Sequence, residues 1–269
     1  MSVPQAASTL RDTFDGPDLA AVWHPRTYGN GIVQQGGGVL RCILPPGASR
    51  QYSDAQITDY ARPRGERFVW QPPLRLRVRA WASAPQAELI GTAGFGFWNE
   101  PFAPLGRGLP RLPRAIWFFF GAPPHNIALE LGVPGYGWKA ATLDATRPQG
   151  IALLPLAPFG ALLMHVPALY RRLWPVAQRA LGISGAVLPV DLGDPHTYEL
   201  DWGVGSARFR VDGETVHEAP AAPRGPLGFI AWMDNQYAIV TPQGRVRFGV
   251  TPNIREQWLA LDEVVIEMA

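Results

Sequence analysis

Apolar and polar residues alternate along several short stretches of this chain. The clearest stretch is 74–81, Leu-Arg-Leu-Arg-Val-Arg-Ala-Trp, in which every second residue is apolar. Because successive side chains of a β-strand point to opposite faces, this pattern predicts a strand with one face in the core and its arginines toward solvent or a groove. Two further stretches, 88–98 and 115–120, have apolar residues at both odd and even positions. This pattern is typical of central strands that are covered on both faces.

The stretch 196–216 predicts three consecutive antiparallel strands. Tyr198, Leu200 and Trp202 alternate with polar residues, residues 203–206 form a turn, and residues 207–211 alternate again. Asp212-Gly213 supplies the positive φ of a second tight turn. Further predicted strands lie at 32–35, 39–44, 127–131, 138–142 and 258–268, whereas 50–67 is polar and irregular. Residues 225–237 predict a strand that leads into a polar and aromatic loop.

One segment departs from the strand pattern. Residues 148–170 include no formally charged side chain, a length that reaches the span of a bilayer. Pro155, Pro158 and Pro167 interrupt it, so we do not expect a straight spanning helix. From Pro167 onward, apolar residues at helical spacing lie opposite arginines up to Gly182, and Pro167 and Pro175 are each placed to open a helical turn. We therefore expect a helical, apolar insertion at about 147–189.

Composition narrows the class of protein. The chain has 269 residues, 29 glycines and 28 prolines, which suits many short strands joined by turns. We expect a tail at 1–10 and one sandwich domain over 11–269. The net charge of +2 and the absence of a basic stripe argue against nucleic acid. Residues 1–10 lack the features of a secretory signal and there is a single cysteine, Cys42, so we expect a cytoplasmic protein with a buried thiol.

Residues 196–202, His-Thr-Tyr-Glu-Leu-Asp-Trp, and 209–213, Phe-Arg-Val-Asp-Gly, resemble a known family. They are similar to paired strands reading HTYEIEW and FYVDG in the laminarinase-type glycoside hydrolases of family 16. Residues 14–16 with Leu19 and Trp23 resemble that family's opening, and 261–267 resemble its closing strand. The resemblance implies an all-β, concanavalin A-like jelly-roll β-sandwich and leaves the middle of the chain unassigned.

The catalytic motif of that family is absent from this sequence. Family 16 enzymes carry Glu-x-Asp-x-x-Glu on a central strand, because retaining hydrolysis needs two carboxyl groups about 5–5.5 Å apart. The corresponding strand would be 115–120, which has no carboxylate, and Glu130 has no acidic companion at the right spacing. We therefore expect no family 16 hydrolysis. Glu100 and Asp234 are the candidate catalytic pair for a different mechanism.

Aromatic and amide residues remain on the face where the resemblance implies a substrate cleft. Indole rings stack on the apolar faces of sugars, and amides and carboxylates bond their hydroxyls. The candidate ligand-binding residues are Trp98, Asn99, Glu100, Trp117, Trp232, Asp234, Asn235 and Tyr237. The alternative is that Trp117 and Trp232 belong to the core.

The insertion supplies a second candidate surface. A basic amphipathic helix beside an uncharged run is typical of an element that lies on a membrane or a partner. The candidate docking residues are Leu162, Leu163, Leu169, Arg171, Arg172, Leu173 and Trp174. The alternative is that the segment folds back over the sandwich.

Metal chemistry has little support in the sequence. The five histidines lack zinc-ligand spacing, so we expect no metal site and no cofactor. A structural calcium ion of the kind found in related jelly rolls could involve Asp15 or Asp262, although nothing distinguishes them from surface acids.

Three functional hypotheses follow. The first is a non-hydrolytic, carbohydrate-recognising jelly-roll module that binds an oligosaccharide or glycolipid. The second is an assembly subunit, peripheral to a membrane, that docks on the bilayer or on a membrane protein through residues 147–182. The third is a glycan-active enzyme with an acid pair unlike that of family 16.

Overall fold

The computed structural model describes residues 9–47, 51–60, 68–101 and 111–268. These residues form eighteen strands and three α-helices. In chain order the elements are β1 (Thr9–Asp12), β2 (His24–Tyr28), β3 (Ile32–Gly36), β4 (Val39–Leu44), β5 (Asp54–Thr58), β6 (Leu74–Ala82), β7 (Thr92–Trp98), β8 (Arg114–Gly121), β9 (Asn126–Ile127), β10 (Gly137–Asp144), α1 (Pro148–Leu153), α2 (Ala157–Leu163), α3 (Pro167–Ala180), β11 (Ser184–Val187), β12 (His196–Trp202), β13 (Ala207–Val211), β14 (Glu214–Ala219), β15 (Gly228–Asp234), β16 (Gln236–Val240), β17 (Val246–Val250) and β18 (Gln257–Met268).

Two large antiparallel sheets form the sandwich. Sheet A has the order β14-β13-β12-β6-β18-β4-β3, with β1 paired to β18, and sheet B has the order β11-β10-β8-β7-β15-β5-β2. This arrangement confirms the predicted all-β, concanavalin A-like jelly roll. A third sheet, sheet C, has the order β17-β16-β9.

The core lies between sheets A and B. Tyr198 of β12 is fully buried, and its ring lies 5.3 Å from that of Phe95 and 5.1 Å from that of Phe118 on sheet B. Trp138 Nε1 donates a hydrogen bond to the Tyr198 hydroxyl at 3.2 Å, which satisfies both polar groups inside the core. The predicted strands of 196–216 are therefore confirmed. Cys42 is a free, buried thiol, as predicted.

The outer face of sheet A carries a lattice of ion pairs. The arginines of β6 alternate with buried residues, as the sequence predicted, and all three are paired with carboxylates of neighbouring strands. The pairs, which we call the sheet A ion-pair lattice, are Arg75–Asp201, Arg77–Glu263, Arg79–Asp262, Arg210–Asp201 and Arg208–Glu218. Because Asp201 is paired with both Arg75 and Arg210, positive and negative side chains lie next to one another on this face.

The insertion forms three helices, α1 to α3, and is anchored at one tryptophan. Trp174 is 9% exposed, packs with Met164 and Ile183, and donates its Nε1 hydrogen bond to the Leu129 carbonyl at 2.7 Å. α3 begins at Pro167, as predicted, but Pro175 lies inside this helix and does not open a separate turn. Within the described ranges, no helix combines the length and apolar character needed to cross a bilayer.

Several predictions from the sequence differ from the structure. The region 50–67 contains β5, whose alternation escaped notice because its outward residues are polar. Only Asn126–Ile127 of the predicted strand at 127–131 pairs, in β9. The loop predicted after β15 is instead β16, separated from β15 by Asn235. Thr9 and Leu10 of the predicted tail belong to β1, and the rest of that tail lies outside the described residues.

Candidate functional site

The outer face of sheet B carries a continuous aromatic cluster, which we call the aromatic face. Trp117 lies at its centre, with its ring centroid 6.1 Å from that of Trp98 and 5.4 Å from that of Trp232. Phe119 and Ile230 complete it. Alternation along β7, β8 and β15 positions these residues, because their neighbours in sequence point into the core. The structure thus brings the three predicted tryptophans together.

Two glycines of β7 make room for the indole rings. A Cβ atom at Gly94 would lie 2.8 Å from Cη2 of Trp232, and one at Gly96 would lie 2.6 Å from Cβ of Trp117. Gly96 also has a φ of 147°, in the region that favours glycine. The pattern Thr-Ala-Gly-Phe-Gly-Phe-Trp of β7 therefore lets the aromatic rings lie low over the sheet.

The three tryptophans differ in exposure. Trp232 is only 6% exposed, and its Nε1 donates a hydrogen bond to Thr92 Oγ1 at 3.0 Å. Trp98 and Trp117 are partly exposed, and Trp98 Nε1 donates to the Tyr60 hydroxyl at 2.6 Å. Trp98 and Trp117 thus present accessible ring surface, while the buried Trp232 packs against Trp117 and Phe119.

The central strand β8 has no carboxyl group on this face. Its outward positions are Ala115, Trp117 and Phe119, since Ile116, Phe118 and Phe120 belong to the core. In retaining glycosidases two carboxyl groups flank the scissile bond. The positions at the centre of sheet B therefore offer stacking surfaces and no acid or base.

A pair of buried carboxyl groups lies at one end of the aromatic face. Asp54 of β5 is directly opposite Asp234 of β15, and both face outward. Asp234 accepts hydrogen bonds from Thr92 Oγ1 at 2.8 Å and from the Gln236 amide at 3.0 Å. Neither carboxylate oxygen of Asp54 has a hydrogen-bond partner among the described residues. Sequence analysis missed Asp54, although the alternation Asp-Ala-Gln-Ile-Thr could have revealed it.

The pKa values of both carboxyl groups are raised, and the two groups differ in their hydrogen-bond partners. Burial raises the pKa of Asp234 to about 7, although hydrogen bonds from Thr92 and Gln236 oppose the rise. Burial, and then the charge of Asp234, raise the pKa of Asp54 well above its usual value. The charge of Arg26 opposes the rise at Asp54, but neither Asp54 oxygen has a hydrogen-bond partner among the described residues.

Glu100 does not join this pair. Thr92 is opposite Asp234 at one end of the β7–β15 ladder, whereas Glu100 follows the other end of β7. Glu100 Oε1 accepts a hydrogen bond from Arg26 Nη1 at 2.9 Å, and both side chains are largely buried. The two candidate catalytic carboxylates are therefore apart, each with its own partners.

The side-chain amides of Asn99 and Asn235 form hydrogen bonds with backbone groups. The Asn99 side chain donates to the Leu112 carbonyl at 3.0 Å and accepts from the Arg114 amide at 2.9 Å. The Asn235 side chain accepts from the Ser53 amide at 2.9 Å and donates to two carbonyls. Tyr237 packs over Gly249 in sheet C, where a Cβ atom would meet its hydroxyl at 2.5 Å. These three residues hold loops and sheet C in place.

A cavity of about 90 Å³ adjoins the aromatic face and was not predicted. Trp117 and Phe119 form one wall, and the chain's sole lysine, Lys139, lies beside Glu130 at 3.9 Å between Nζ and Oε2. Lys139 also donates to the Pro134 carbonyl at 3.2 Å, whereas Glu130 Oε2 is buried without a hydrogen-bond partner in the described ranges. Burial lowers the pKa of Lys139 and raises that of Glu130, and each residue's charge opposes the other's shift.

His125 lies next to Phe119 with its ring centroid 5.1 Å from that of Phe119. Burial, and then the charge of Lys139, lower the pKa of His125 to about 4, so the ring is neutral at pH 7. Its Nδ1 accepts a hydrogen bond from the Ala238 amide at 3.3 Å. His125 therefore joins sheet C to sheet B without adding charge to the face.

A larger hollow of about 490 Å³ lies elsewhere, at the β12–β14 end of sheet A. Its lining includes the ion-paired Asp201, Arg208 and Glu218 and contains no aromatic residue. Because sugars are held by aromatic surfaces with convergent polar groups, we place the candidate site on the aromatic face despite the smaller cavity there.

Asp15 and Asp262, the two residues considered for a structural calcium ion, both make contacts with other side chains. Asp262 is paired with Arg79, and Asp15 accepts a hydrogen bond from the Thr13 hydroxyl at 2.7 Å. Over the ranges that the structure describes, no group of three or more His, Cys, Asp or Glu side chains could hold a metal ion.

The candidate docking residues divide into two groups. Leu162 is 65% exposed, and Arg171, Arg172 and Leu173 are also exposed. Leu163 packs with the cluster around Trp174, and Leu169 is half-buried. Trp174 is an anchor of the insertion and not a surface residue, because its ring is buried and its Nε1 is bonded to Leu129.

Comparison with solved structures shows which known proteins have a similar fold. The chain matches the GlcNAcα1-4Gal-releasing endo-β-galactosidase of Clostridium perfringens with a TM-score of 0.55 and 13% identity over 99% of this chain and 63% of that one. It matches a lichenase from a mouse hindgut metagenome with a TM-score of 0.53 and 14% identity over 97% of this chain and 100% of that one. The laminarinase of Flavobacterium sp. UMI-01 matches with a TM-score of 0.53 and 14% identity over 96% and 99%.

These matches establish the fold and support the resemblance to laminarinase-type family 16 enzymes. The chain spans less than two thirds of the endo-β-galactosidase but the full length of the lichenase. No protein-family model matches the sequence, and no curated protein matches it.

Proposed function

We propose that this protein is a carbohydrate-recognising module, related to glycosidases in fold, that binds its ligand without hydrolysing it. The observation that carries the proposal is the aromatic face: Trp98 and Trp117 lie side by side, partly exposed, on the central strands of sheet B. The solved structures of similar fold are glycan-active enzymes, which is consistent with a glycan ligand.

Binding would depend on stacking. A sugar ring presents C–H groups on one face, and an indole offers a flat apolar surface of matching size. Trp117 is the central platform, since its ring contacts Trp98, Phe119 and Trp232 and is held by all three. Such preorganisation lowers the entropy lost on binding.

The test compares two tryptophans. Purified protein is screened on a glycan array, and the best ligand is measured by calorimetry for wild type, Trp117→Ala and Trp258→Ala. Trp258 is also partly exposed, but it lies on sheet A, beside Arg41. We expect Trp117→Ala to weaken binding by about 1–3 kcal/mol, while Trp258→Ala binds as wild type. Equal binding by all three proteins, or no binding to any glycan, would refute the proposal.

A second candidate function is docking on an anionic membrane surface through the insertion. Its apolar side chains lie outward: Ile151, Leu154, Leu156, Phe159, Leu162, Val166 and Val176 are each 43–65% exposed. Between Asp144 and Asp191 the sequence has no acidic residue and four arginines. Exposed leucine and phenylalanine beside arginine suit a lipid interface that contains anionic headgroups.

Liposome co-sedimentation tests this second function. We expect wild type to sediment with vesicles of phosphatidylcholine and phosphatidylserine more than with phosphatidylcholine alone. Phe159→Glu with Leu162→Glu should abolish sedimentation, and Arg171→Gln with Arg172→Gln should remove the preference for phosphatidylserine. Val204→Glu is the control, because Val204 is 81% exposed in the β12–β13 turn. Wild-type protein that stays in the supernatant with both vesicles would exclude membrane docking.

A further inference from the structure

The cavity beside Trp117 combines features that select a particular kind of substituent. It is lined mainly by apolar groups, including Trp117, Phe119 and Ala141, and its polar end holds Lys139 and Glu130. The cavity of about 90 Å³ has room for a small substituent of a ligand.

The polar end favours a neutral group that accepts a hydrogen bond. Lys139 Nζ is a donor, and Glu130 Oε2 is ion-paired with it but has no hydrogen-bond partner in the described ranges. The two charges lie 3.9 Å apart and largely offset each other. A carboxylate or sulfate on the ligand would bring a second anion next to Glu130, and an amine would bring a second cation next to Lys139, so both are disfavoured.

We infer that this cavity is the subsite for the acetamido group of a 2-acetamido-2-deoxy sugar whose ring stacks on Trp117; this inference rests on the proposed carbohydrate-binding function. The carbonyl oxygen of the acetamido group accepts from Lys139, and its methyl group contacts the apolar wall. A hydroxyl at the same ring position would leave the apolar part of the cavity unfilled.

The position of the cavity supports the assignment. Trp117 pairs with Ala141, and Phe119 pairs with Lys139, across the β8–β10 ladder. Trp117 therefore belongs both to the aromatic face and to the cavity wall. A ring seated on Trp117 has the cavity at its edge, where a substituent would project.

The experiment uses sugar pairs that differ mainly in the acetamido group. Affinities of the full-length protein for chitotriose and cellotriose, and for N-acetyllactosamine and lactose, are measured by calorimetry or by ligand-observed NMR. We expect the acetamido sugar of at least one pair to bind about tenfold more tightly or better, as for other sites that hydrogen-bond a ligand group.

Two variants test which groups produce the preference. Lys139→Met removes the hydrogen-bond donor, and Ala141→Val fills the cavity without touching the ion pair. Each should abolish the preference for the acetamido sugar. Val187→Ala is the control, because Val187 is opposite Lys139 on β11 but does not line the cavity. Thermal unfolding checks each variant, and Ala141→Val decides the matter if Lys139→Met does not fold.

The outcomes separate the two proposals. Equal affinity for both members of each pair overturns the acetamido subsite and leaves the carbohydrate-binding function intact. A preference that survives in Ala141→Val and in Lys139→Met places the acetamido group elsewhere and also overturns the subsite. If neither member of either pair binds and the glycan array is blank, the carbohydrate-binding function fails and the subsite fails with it.

Discussion

Asp54 lies directly opposite Asp234 in the β5–β15 ladder, so two buried carboxyl groups share one end of the aromatic face. Asp234 is surrounded by hydrogen-bond donors and Asp54 has none in the described ranges. Burying a carboxylate without donors is costly, so protonation of Asp54 lowers the cost of folding.

The first prediction concerns pH. Both carboxyl pKa values are raised by burial, that of Asp234 to about 7, so the folded state binds more protons than the unfolded state between pH 4 and pH 7. The free energy of unfolding should therefore fall as the pH rises through this window. Asp54→Asn should flatten the dependence and stabilise the protein at pH 8.

Urea unfolding at pH 5 and pH 8 measures this effect. Asp18→Asn, at an exposed carboxylate, is the matched control and should follow wild type. An Asp54→Asn variant that is less stable than wild type at pH 8 would show that the carboxylate has a stabilising partner.

The second prediction concerns Thr92. Its hydroxyl donates to Asp234 and accepts from Trp232 Nε1, so it links the carboxyl pair to the aromatic face. Thr92→Val leaves the buried Trp232 Nε1 without its acceptor and removes one of the donors to Asp234, which should cost about 1–3 kcal/mol. Thr92→Ser keeps both bonds and loses one methyl group, which should cost about 0.8 kcal/mol or less. Chemical denaturation of the two variants tests this difference, and equal losses would contradict it.

The third prediction distinguishes the structural role of Trp232 from the ligand-contacting role proposed for Trp117. Trp232→Ala removes a buried indole and should lower the free energy of unfolding by about 3–5 kcal/mol. Trp117→Ala should lower it less, because the Trp117 ring is partly exposed. Differential scanning calorimetry compares the two melting temperatures. The reverse order would mean that Trp117, and not Trp232, is the structural residue.

The fourth prediction is that the protein releases no reducing ends from β-1,3 or β-1,4 glucans. The outward positions of β8 carry Ala115, Trp117 and Phe119, which cannot act as acid, base or nucleophile. A reducing-sugar assay over several days, with a lichenase as positive control, measures this. Turnover that disappears in Asp234→Asn, Asp54→Asn or Glu100→Gln would identify a different acid pair.

Several strands of the sandwich were predictable because apolar and polar residues alternate regularly along them. The strands at 74–82, 198–202 and 207–211 have apolar residues at every second position, and their burial in the structure follows that period. β5 was missed because its outward residues, Asp54, Gln56 and Thr58, are polar although they are buried. A polar residue on a strand is normally assigned to solvent, and sequence alone does not show that another layer covers it.

The candidate site was predictable only in part. Trp98, Trp117 and Trp232 could be placed on one face because the resemblance to family 16 implies a substrate cleft there. The different roles of Asn99 and Asn235 could not be predicted, since a backbone partner such as the Leu112 carbonyl depends on loop geometry. The meeting of Lys139 with Glu130 depends likewise on the turn that follows β9.

The sheet A ion-pair lattice affects the stability of the protein at elevated temperature. Arg75 and Arg210 share Asp201, and Glu263, the partner of Arg77, is also paired with Arg11, so the charges form small groups rather than isolated pairs. The hydration of ions becomes less favourable as temperature rises, so the penalty for desolvating such a group shrinks when the protein is warmed. The side of the sandwich opposite the aromatic face is thus suited to remain folded at elevated temperature.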